Sequence, residues 1–236
     1  ILAGITFPAK AASITTVKFT VRYCQTDSRT ELKMINDFRA SSDAWVWNED
    51  DTTKTVYNNL SPLEYDYELE KVAMQRCAEI ALSYGHDRPD GGTCWDTYKD
   101  LGYTNWTALG ENIAVGQGSP SEVFQAWRED KEPYAKQGHR RSMLSPDYNR
   151  VGVAGCYYNG RYFWVQEFSR SSASVGSAAA NDSDTLVHAK VDMDKATVNV
   201  QAPSSLTIPE GGSVNLPEVK VTMSFSSSYN KNCPIQ

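Results

Sequence analysis

The sequence predicts an α+β fold in which helices pack against a sheet, and two observations predict it. Apolar residues between positions 69 and 84 recur at the 3.6-residue spacing of an amphipathic helix. Two apolar-rich segments, 150–158 and 161–168, flank Asn159-Gly160. That dipeptide is the strongest short hairpin signal, because both central positions of the turn need positive φ. Helices and a hairpin in one chain indicate an α+β sandwich.

The first two helices have recognisable ends. Ser28 and Glu31 have the spacing of a capping box, and the apolar positions after them predict a helix to about Ala40. The second helix is predicted to begin with Asp66 as N-cap. Gly85 has the position of the residue that stops this helix, which would place His86 just beyond its end.

Two further helices are predicted after a region rich in turns. Residues 41–60 and 87–118 are predicted as loops, and the second of these contains Glu111. Ser119-Pro120-Ser121-Glu122 is a clear helix start, with an N-cap, proline at the first position and glutamate at the third. The last helix is predicted to begin at or just after His139.

The two ends of the chain differ from its middle. Residues 1–26 are predicted to be an N-terminal tail, interpreted either as the remnant of a signal peptide or as a short disordered or strand-forming segment. Residues 171–186 are predicted to be a flexible linker, because they are rich in small and polar residues. Residues 187–236 are predicted to form a small β-rich appendage or a truncated immunoglobulin-like domain, with strands at 187–191, 196–200 and 214–221, and a turn at 208–212.

Composition narrows the class of protein. Of the 236 residues, 40% are hydrophobic and 22% are charged, which is ordinary for a globular domain, and the net charge of −6 argues against a nucleic-acid partner. No apolar run reaches the length of a transmembrane helix. The five cysteines lack Cys-x-x-Cys spacing, so zinc-finger and thioredoxin interpretations fail. In an exported chain the five cysteines are expected to form two disulfides and leave one free thiol. The sequence does not determine which cysteines pair. Cys77 is alternatively interpreted as a buried free thiol.

Three residues are candidates for a shared cleft. His86, Glu111 and His139 each follow a glycine at the end of a predicted element, and functional side chains are usually carried at such places over a rigid scaffold. Two imidazoles with carboxylates suit zinc or another divalent metal. Without a metal, the same groups suit proton transfer. The competing interpretation is that each residue only hydrogen-bonds a nearby helix end.

These residues lie within a series of motifs that resembles one family. The chain resembles the CAP superfamily (cysteine-rich secretory proteins, antigen 5 and pathogenesis-related 1 proteins, also called the SCP domain), and its form of the last histidine motif resembles the bacterial branch. The matching stretches occur in the family order over residues 27–170. They are Leu63-Glu64-Tyr65-Asp66, Gly85-His86-Asp87-Arg88-Pro89, Gly110-Glu111-Asn112-Ile113-Ala114, Trp127, Gly138-His139-Arg140-Arg141-Ser142-Met143-Leu144, and Val151-Gly152-Val153-Ala154 leading to Phe163–Phe168.

The resemblance implies a three-layer α-β-α sandwich and a central cleft lined by two histidines and two acids. It implies His86, Glu111 and His139 as cleft residues and as ligands where a divalent metal binds. The second acid is left open between Glu129 and Asp130, with Glu132 also nearby. The resemblance further implies a secreted or cell-surface location.

Three functions follow as alternatives. The first is binding of a lipid, another small molecule or a divalent metal in the cleft, with the aromatic residues of 98–106 and 157–164 as an apolar groove or, alternatively, as core. The second is a metal-dependent or Ser/His hydrolase, in which Ser142 would lie one helical turn from His139. The third is a structural or adhesion module that binds a host or cell-wall partner. We expect a binding protein rather than an enzyme, because no motif for an activated nucleophile is present.

Overall fold

The computed structural model describes residues 13–201, 219–226 and 229–236. The helices are α1 (Gln25–Ala40), α2 (Tyr67–Leu82), α3 (Cys94–Asp100), α4 (Pro120–Arg128) and α5 (Gly138–Leu144), with a 3₁₀ turn at Tyr134–Lys136. The strands are β1 (Ile14–Tyr23), β2 (Trp45–Trp47), β3 (Lys54–Val56), β4 (Glu64–Tyr65), β5 (Ala108–Val115), β6 (Arg150–Tyr158), β7 (Arg161–Arg170), β8 (Asp184–Asp192), β9 (Ala196–Gln201), β10 (Lys220–Phe225) and β11 (Cys233–Ile235).

A six-stranded sheet forms the centre of the fold. Its strand order is β5-β7-β6-β1-β8, and β4 adds a short parallel pairing to β6. The β6–β7 hairpin turns at Asn159 and Gly160, whose φ angles are 46° and 84°. The predicted hairpin is therefore confirmed, together with the positive φ that its turn requires.

Helices cover both faces of this sheet. Alternate residues of β6 and β7 point to opposite sides. Cys156, Phe163 and Val165 join the apolar cluster that contains α2. Val151 and Trp164 join a second cluster built from α1, α4 and α5. The predicted three-layer α-β-α sandwich is confirmed.

The starts of two helices agree with the prediction. The Asp66 side chain accepts a hydrogen bond from the Glu68 amide at the start of α2. The Ser119 hydroxyl accepts one from the Glu122 amide at the start of α4. Both helices are therefore positioned by side-chain caps that sequence reveals.

Two other helix-end predictions are wrong. Helix α1 begins four residues early, after Cys24, and the Ser28 hydroxyl donates to the Cys24 carbonyl at 2.6 Å instead of forming a capping box. Glu31 faces the sheet and is fully buried. Helix α2 ends at Leu82 with Ser83 in an extended conformation, so Gly85 is not its stop residue. In both cases packing against the sheet overrides the local signal.

Two predicted loops contain strands. Glu111 lies in β5, which pairs antiparallel with β7 from Ala108↔Arg170 to Val115↔Phe163. Residues 41–60 contain the β2–β3 hairpin, in which the Lys54 ammonium lies over the Trp45 ring. The glycines around β5 suggest turns. Its partner strand β7 lies about fifty residues later in the chain, so a local sequence pattern does not predict the pairing.

The ends of the chain join the central sheet. Strand β1 lies in the segment predicted as a tail, and it pairs with β8 from Ile14↔Asp192 to Arg22↔Asp184. Residues 171–183 have no regular structure, yet they are tied to the domain, for example by the Tyr67 amide donating to the Gly176 carbonyl. Continuous strand pairing thus crosses the predicted boundaries at 27 and 187, while independent folding of residues 27–170 stays a prediction.

The C-terminal strands form a separate small sheet. Its order is β11-β10-β9, so the strand predicted at 196–200 is present and the one predicted at 214–221 begins at Lys220 in the described part. The predicted turn at 208–212 and residues 1–12 lie outside the described residues. Within the described ranges, none of the helices has the length and apolar character needed to cross a membrane.

Candidate functional site

The three residues predicted to share a cleft line one cavity. His86, Glu111 and His139 surround a space of about 390 Å³ between the end of β5, α5 and the loop after α2. The remaining lining residues are Asn112, Glu129, Ala135, Lys136, Gly138 and Ser142. The structure therefore brings together residues that are up to 53 positions apart in the sequence.

Glu111 is held beneath His86 by a buried arginine. Its Oε1 lies 2.7 Å from His86 Nδ1, and its Oε2 accepts from Arg76 Nε at 2.7 Å. Arg76 is fully buried on α2, and it also donates to the carbonyls of Gly85 and His86. One guanidinium thus positions both the carboxylate and the backbone of the histidine. Arg76 is not among the site residues predicted from sequence, although an arginine on the apolar face of a predicted helix is a signal for such a role.

The charges around Glu111 favour its ionised form. Burial by itself would raise the pKa of Glu111, but the His86 hydrogen bond and the Arg76 charge outweigh burial, so its pKa lies below the ordinary value. Burial also disfavours the charged form of Arg76. The Glu111 and Glu79 carboxylates more than compensate and raise its pKa. Glu111 is therefore a carboxylate that can hold an imidazole in one orientation.

A second carboxyl group lies beside Glu111 in the sheet. Glu167 is directly opposite Glu111 in the β5–β7 register and is fully buried. Burial, followed by the charge of Glu111, raises its pKa well above the usual range. Its Oε2 accepts a hydrogen bond from the Tyr98 hydroxyl at 2.5 Å. The neutral form of Glu167 is therefore favoured beside the Glu111 carboxylate.

His139 is held by Glu129 in a similar way. Glu129 Oε1 lies 2.5 Å from His139 Nδ1, and Glu129 Oε2 accepts from the backbone amides of His139 and Arg140 at the start of α5. Glu129 adopts a left-handed conformation, with φ of 48°, immediately after α4. That uncommon backbone turns its carboxylate back toward α5.

Of the acids left open by sequence, the structure brings Glu129 to the cavity. Asp130 points elsewhere and pairs with Arg140 at 2.5 Å and with Arg128 at 3.0 Å. Glu132 lies 3.8 Å from Lys136. Neither Asp130 nor Glu132 lines the cavity. The left-handed residue after α4 decides between these neighbours, and sequence does not reveal it.

A buried amide chain supports the cavity from the opposite face of the sheet. Asn112 Nδ2 donates to the His139 carbonyl at 3.2 Å and to Gln166 Oε1 at 3.0 Å. Gln166 Nε2 donates to Glu31 Oε2 at 2.6 Å. Burial raises the pKa of Glu31 to about 8, so it is largely protonated at neutral pH. The chain links α1, through β7 and β5, to the backbone of His139.

The paired carboxylates leave the other nitrogen of each imidazole for a ligand. The side chains of His86 and His139 are 60% and 34% exposed, whereas Glu111 is 1% exposed. A carboxylate at Nδ1 is the arrangement that orients histidines which bind metals through Nε2. Among the described residues, however, no group of three or more His, Cys, Asp or Glu side chains is placed to hold a metal ion. Both Glu111 oxygens already contact Arg76 and His86, and a metal held by His86, Glu111 and His139 together stays a prediction.

Ser142 lies in the wall of the cavity without an activated hydroxyl. Its Oγ donates to the Gly138 carbonyl at 3.2 Å, one helical turn earlier. This contact is the ordinary one for serine inside a helix. The His139 Nδ1 atom is occupied by Glu129. Ser142 therefore has a structural role, and Glu129 orients the neighbouring His139.

The cavity continues past His86 into a second depression. This depression, of about 400 Å³, shares His86 and Glu111 with the first and is walled by Cys94, Trp95 and Leu109. Trp95 is 40% exposed there. Most of the aromatic residues predicted as an alternative groove are core instead: Tyr98, Tyr103, Tyr158 and Trp164 are buried, whereas Trp106 and Tyr157 remain exposed.

Known proteins resemble this chain over its central part. The uncharacterized protein YkwD of Bacillus subtilis (strain 168) is 34% identical over 111 residues, which is 46% of this chain and 40% of that protein. The chain thus spans less than half the length of this curated relative. The relative is bacterial, as the form of the last histidine motif predicts.

Several solved structures match part of this chain. An extracellular protein with an SCP domain from Bacillus anthracis is 22% identical, with a TM-score of 0.47 over 62% of this chain and 41% of that one. An outer surface protein from Borrelia burgdorferi is 18% identical, with a TM-score of 0.47 over 63% of this chain and 95% of that one. NaASP2, solved with Zn²⁺, is 18% identical, with a TM-score of 0.46 over 65% of this chain and 88% of that one.

The family model decides the assignment. The model of the cysteine-rich secretory protein family matches residues 32–168, which is more than half of the chain. The matched segment contains α2, β5, α5, β6 and most of β7, and every residue that lines the cavity lies within it. The chain belongs to the CAP family, the cysteine-rich secretory protein family.

Proposed function

We propose that this protein is a secreted or cell-surface CAP protein whose cavity binds a small polar ligand or a divalent metal through His86 and His139. The observation that carries the proposal is the paired orientation of the two imidazoles. Each has a carboxylate at Nδ1, at 2.7 Å for His86 and 2.5 Å for His139, and both line the same cavity. The Nε2 atoms are then the groups that contact the bound species.

The chemistry of the donors suits weak metal binding. Two imidazole nitrogens are ligands that zinc accepts, and water would complete its coordination. A site with two protein ligands lacks the third and fourth donors that make structural zinc sites tight. We therefore expect zinc to bind with micromolar or weaker affinity, and to bind less well in acid, since the histidines must be neutral to ligate.

A ligand that is not a metal fits the same walls. Asn112, Lys136 and Ser142 add polar side chains around the first cavity, and Trp95 and Leu109 add apolar surface to the depression beside it. A small molecule with a polar head and a short apolar part would place its head in the polar cavity and its apolar part in the depression. A lipid head group with part of its chain is one such molecule. A small number of polar groups that converge on a concave, partly apolar surface is typical of ligand-binding sites.

The hydrolase alternative receives less support from the geometry. A Ser/His mechanism needs the serine hydroxyl to donate to the histidine. The Ser142 hydroxyl donates to Gly138 instead. The adhesion alternative rests on surfaces away from the cavity, and no particular contact of the described residues favours it.

Zinc titration by calorimetry on metal-free protein tests the proposal. We expect micromolar or weaker binding in the parent protein and loss of the heat signal in His86→Ala/His139→Ala. The matched control is His188→Ala, which removes the third histidine, an exposed residue of β8. Its zinc binding should equal that of the parent.

Two outcomes would contradict the proposal. Zinc binding that persists in the double variant would place the metal elsewhere. Chelator-sensitive turnover of a peptide, ester or glycan, abolished by His139→Ala, would instead identify an enzyme. A screen of small molecules and lipids by thermal shift, with the same double variant as the reference, identifies a ligand of another kind.

A further inference from the structure

Two of the five cysteines meet in the core between helix and sheet. Cys77 of α2 and Cys156 of β6 are both fully buried, and their Sγ atoms are 2.8 Å apart. The two residues are separated by 79 positions in the sequence. All five cysteines are free thiols in the structure, and at this separation the two sulfur atoms lie inside their van der Waals contact distance, so that a bond needs only a small movement.

We propose that Cys77 and Cys156 form a disulfide bond that ties α2 to the central strand β6. The cysteine pattern alone leaves the pairing of the five residues open. The structure selects this pair, because α2 lies directly on β6: an added Cβ at Gly152 would overlap the backbone at Leu69 and Glu70. A helix and strand in such close contact bring side chains within the reach of a disulfide.

The other cysteines have different surroundings. Cys233 lies against the carbonyls of Ala81 and Asn230. Cys94 begins α3, beside Trp95 in the depression next to His86. Cys24 is the competing partner, because its amide donates to the Gly155 carbonyl next to Cys156. Its Sγ, however, lies 3.9 Å from the Arg22 carbonyl, and it is only partly buried.

The oxidation needs an external acceptor of two electrons. Each thiol loses its proton, a bond forms between the two Sγ atoms, and the electrons reduce a small-molecule or protein disulfide to two thiols. Such acceptors are typical of oxidising compartments outside the cytosol. Since both sulfurs are fully buried, the exchange takes place during folding, before α2 closes on the sheet.

The bond would also hold one wall of the cavity. Arg76 immediately precedes Cys77, and its guanidinium holds Glu111 and the carbonyls of Gly85 and His86. A covalent link at position 77 restrains the helix turn that carries Arg76. The disulfide would therefore stabilise the part of α2 that positions His86.

Peptide mapping of protein expressed with export and digested without reductant tests the pairing. We expect one linked peptide that joins the Cys77 and Cys156 fragments and disappears on reduction. Intact mass should fall by two hydrogens relative to the reduced protein. Free thiols at both positions, or a link from Cys156 to Cys24, would overturn the proposal.

Thermal melting provides an independent readout. Reductant should lower the Tm of the parent by roughly 5–15 °C, because the bond closes a loop of about eighty residues. Cys77→Ala/Cys156→Ala should melt at the same temperature with and without reductant. Cys94→Ser is the matched control and should keep the full sensitivity to reductant. If the double variant does not fold, peptide mapping of the parent still decides the question.

Discussion

At the residue scale, the cleft depends on charged groups that are buried and satisfied. Arg76 is surrounded by Glu111, Glu79 and two backbone carbonyls, and its side chain is 0% exposed. A buried cation with this many acceptors is costly to remove, because Glu111 would remain buried without its arginine, although Glu79 would keep Arg88. The positions of His86 and Glu111 therefore depend on a residue that does not itself line the cavity.

We expect Arg76→Met to lower the free energy of unfolding by about 3–5 kcal/mol, because the buried carboxylate of Glu111 loses its only arginine partner, whereas Glu79 keeps Arg88. Urea unfolding followed by circular dichroism measures the change. Lys33→Met is the control: it breaks the exposed Lys33–Asp37 pair and should cost less than about 1 kcal/mol. Equal effects of the two variants would show that the Arg76 network contributes little.

Glu31 makes stability depend on pH. Its pKa is raised by burial from 4.5 to about 8, so the folded state holds a proton that the unfolded state loses. The sign follows from linkage: the contribution of Glu31 to stability is greatest below pH 4.5 and falls as pH rises toward 8. Across this window the loss should be of the order of a few kcal/mol, since each pKa unit corresponds to about 1.4 kcal/mol.

Glu31→Gln should remove this contribution, because an amide of similar shape accepts from Gln166 without titrating. We expect the variant to be more stable than the parent at about pH 8 and to show a flatter stability profile between about pH 5 and pH 8. Guanidinium unfolding at several pH values measures both profiles. Parallel profiles for parent and variant would contradict the assignment of the pH dependence to Glu31.

At the element scale, the sandwich is held tightly where α2 lies on β6. A Cβ at Gly152 would overlap the backbone at Leu69 and Glu70, so only glycine lets the helix lie this near the strand. The same helix carries Cys77, which lies against Cys156 of β6, and Arg76, which binds Glu111 of β5.

We expect Gly152→Ala to destabilise the fold by roughly 1–3 kcal/mol, because the new methyl group forces the helix away from the sheet. Gly138→Ala is the matched control. Gly138 begins α5, and a Cβ there would meet open space, so its substitution should be neutral or stabilising by up to about 1 kcal/mol. Thermal melting of both variants checks the contrast.

At the scale of the whole molecule, the central sheet joins the two ends of the described chain. Val17 and Phe19 of β1 and Val187 and Ala189 of β8 lie in the same apolar cluster as α2. Just after strand β11, the Gln236 amide donates to the Lys18 carbonyl. These contacts argue against an appendage that is independent of the CAP domain.

We therefore expect a fragment that ends near Ser172 to melt several degrees below the full chain, because β1 loses its pairing with β8 and buried apolar surface becomes exposed. Limited proteolysis at residues 171–183, followed by melting of the trimmed product, measures the difference. The hydrogen bonds of this segment to α1 and α2 should slow cleavage. Rapid cleavage with an unchanged Tm would support the division into a domain and an independent appendage.

Sequence by itself determined the parts of this protein that depend on short-range chemistry. The caps at Asp66 and Ser119 and the turn at Asn159-Gly160 are local, since each needs only a few neighbouring residues to form. The order of motifs around His86, Glu111 and His139 was sufficient to predict the family. The α-β-α layering then followed from the resemblance.

Only the tertiary structure decided the features that depend on residues distant in the chain. Glu111 lies in a strand because of β7, and Glu129 rather than Asp130 reaches His139 because of a left-handed turn after α4. Cys77 lies against Cys156, and β1 pairs with β8. Both contacts are between residues far apart in the sequence, so no local pattern predicts them. The physical reason is the same in each case: burial against a distant partner contributes more free energy than local preference, and that partner is absent from any short window of sequence.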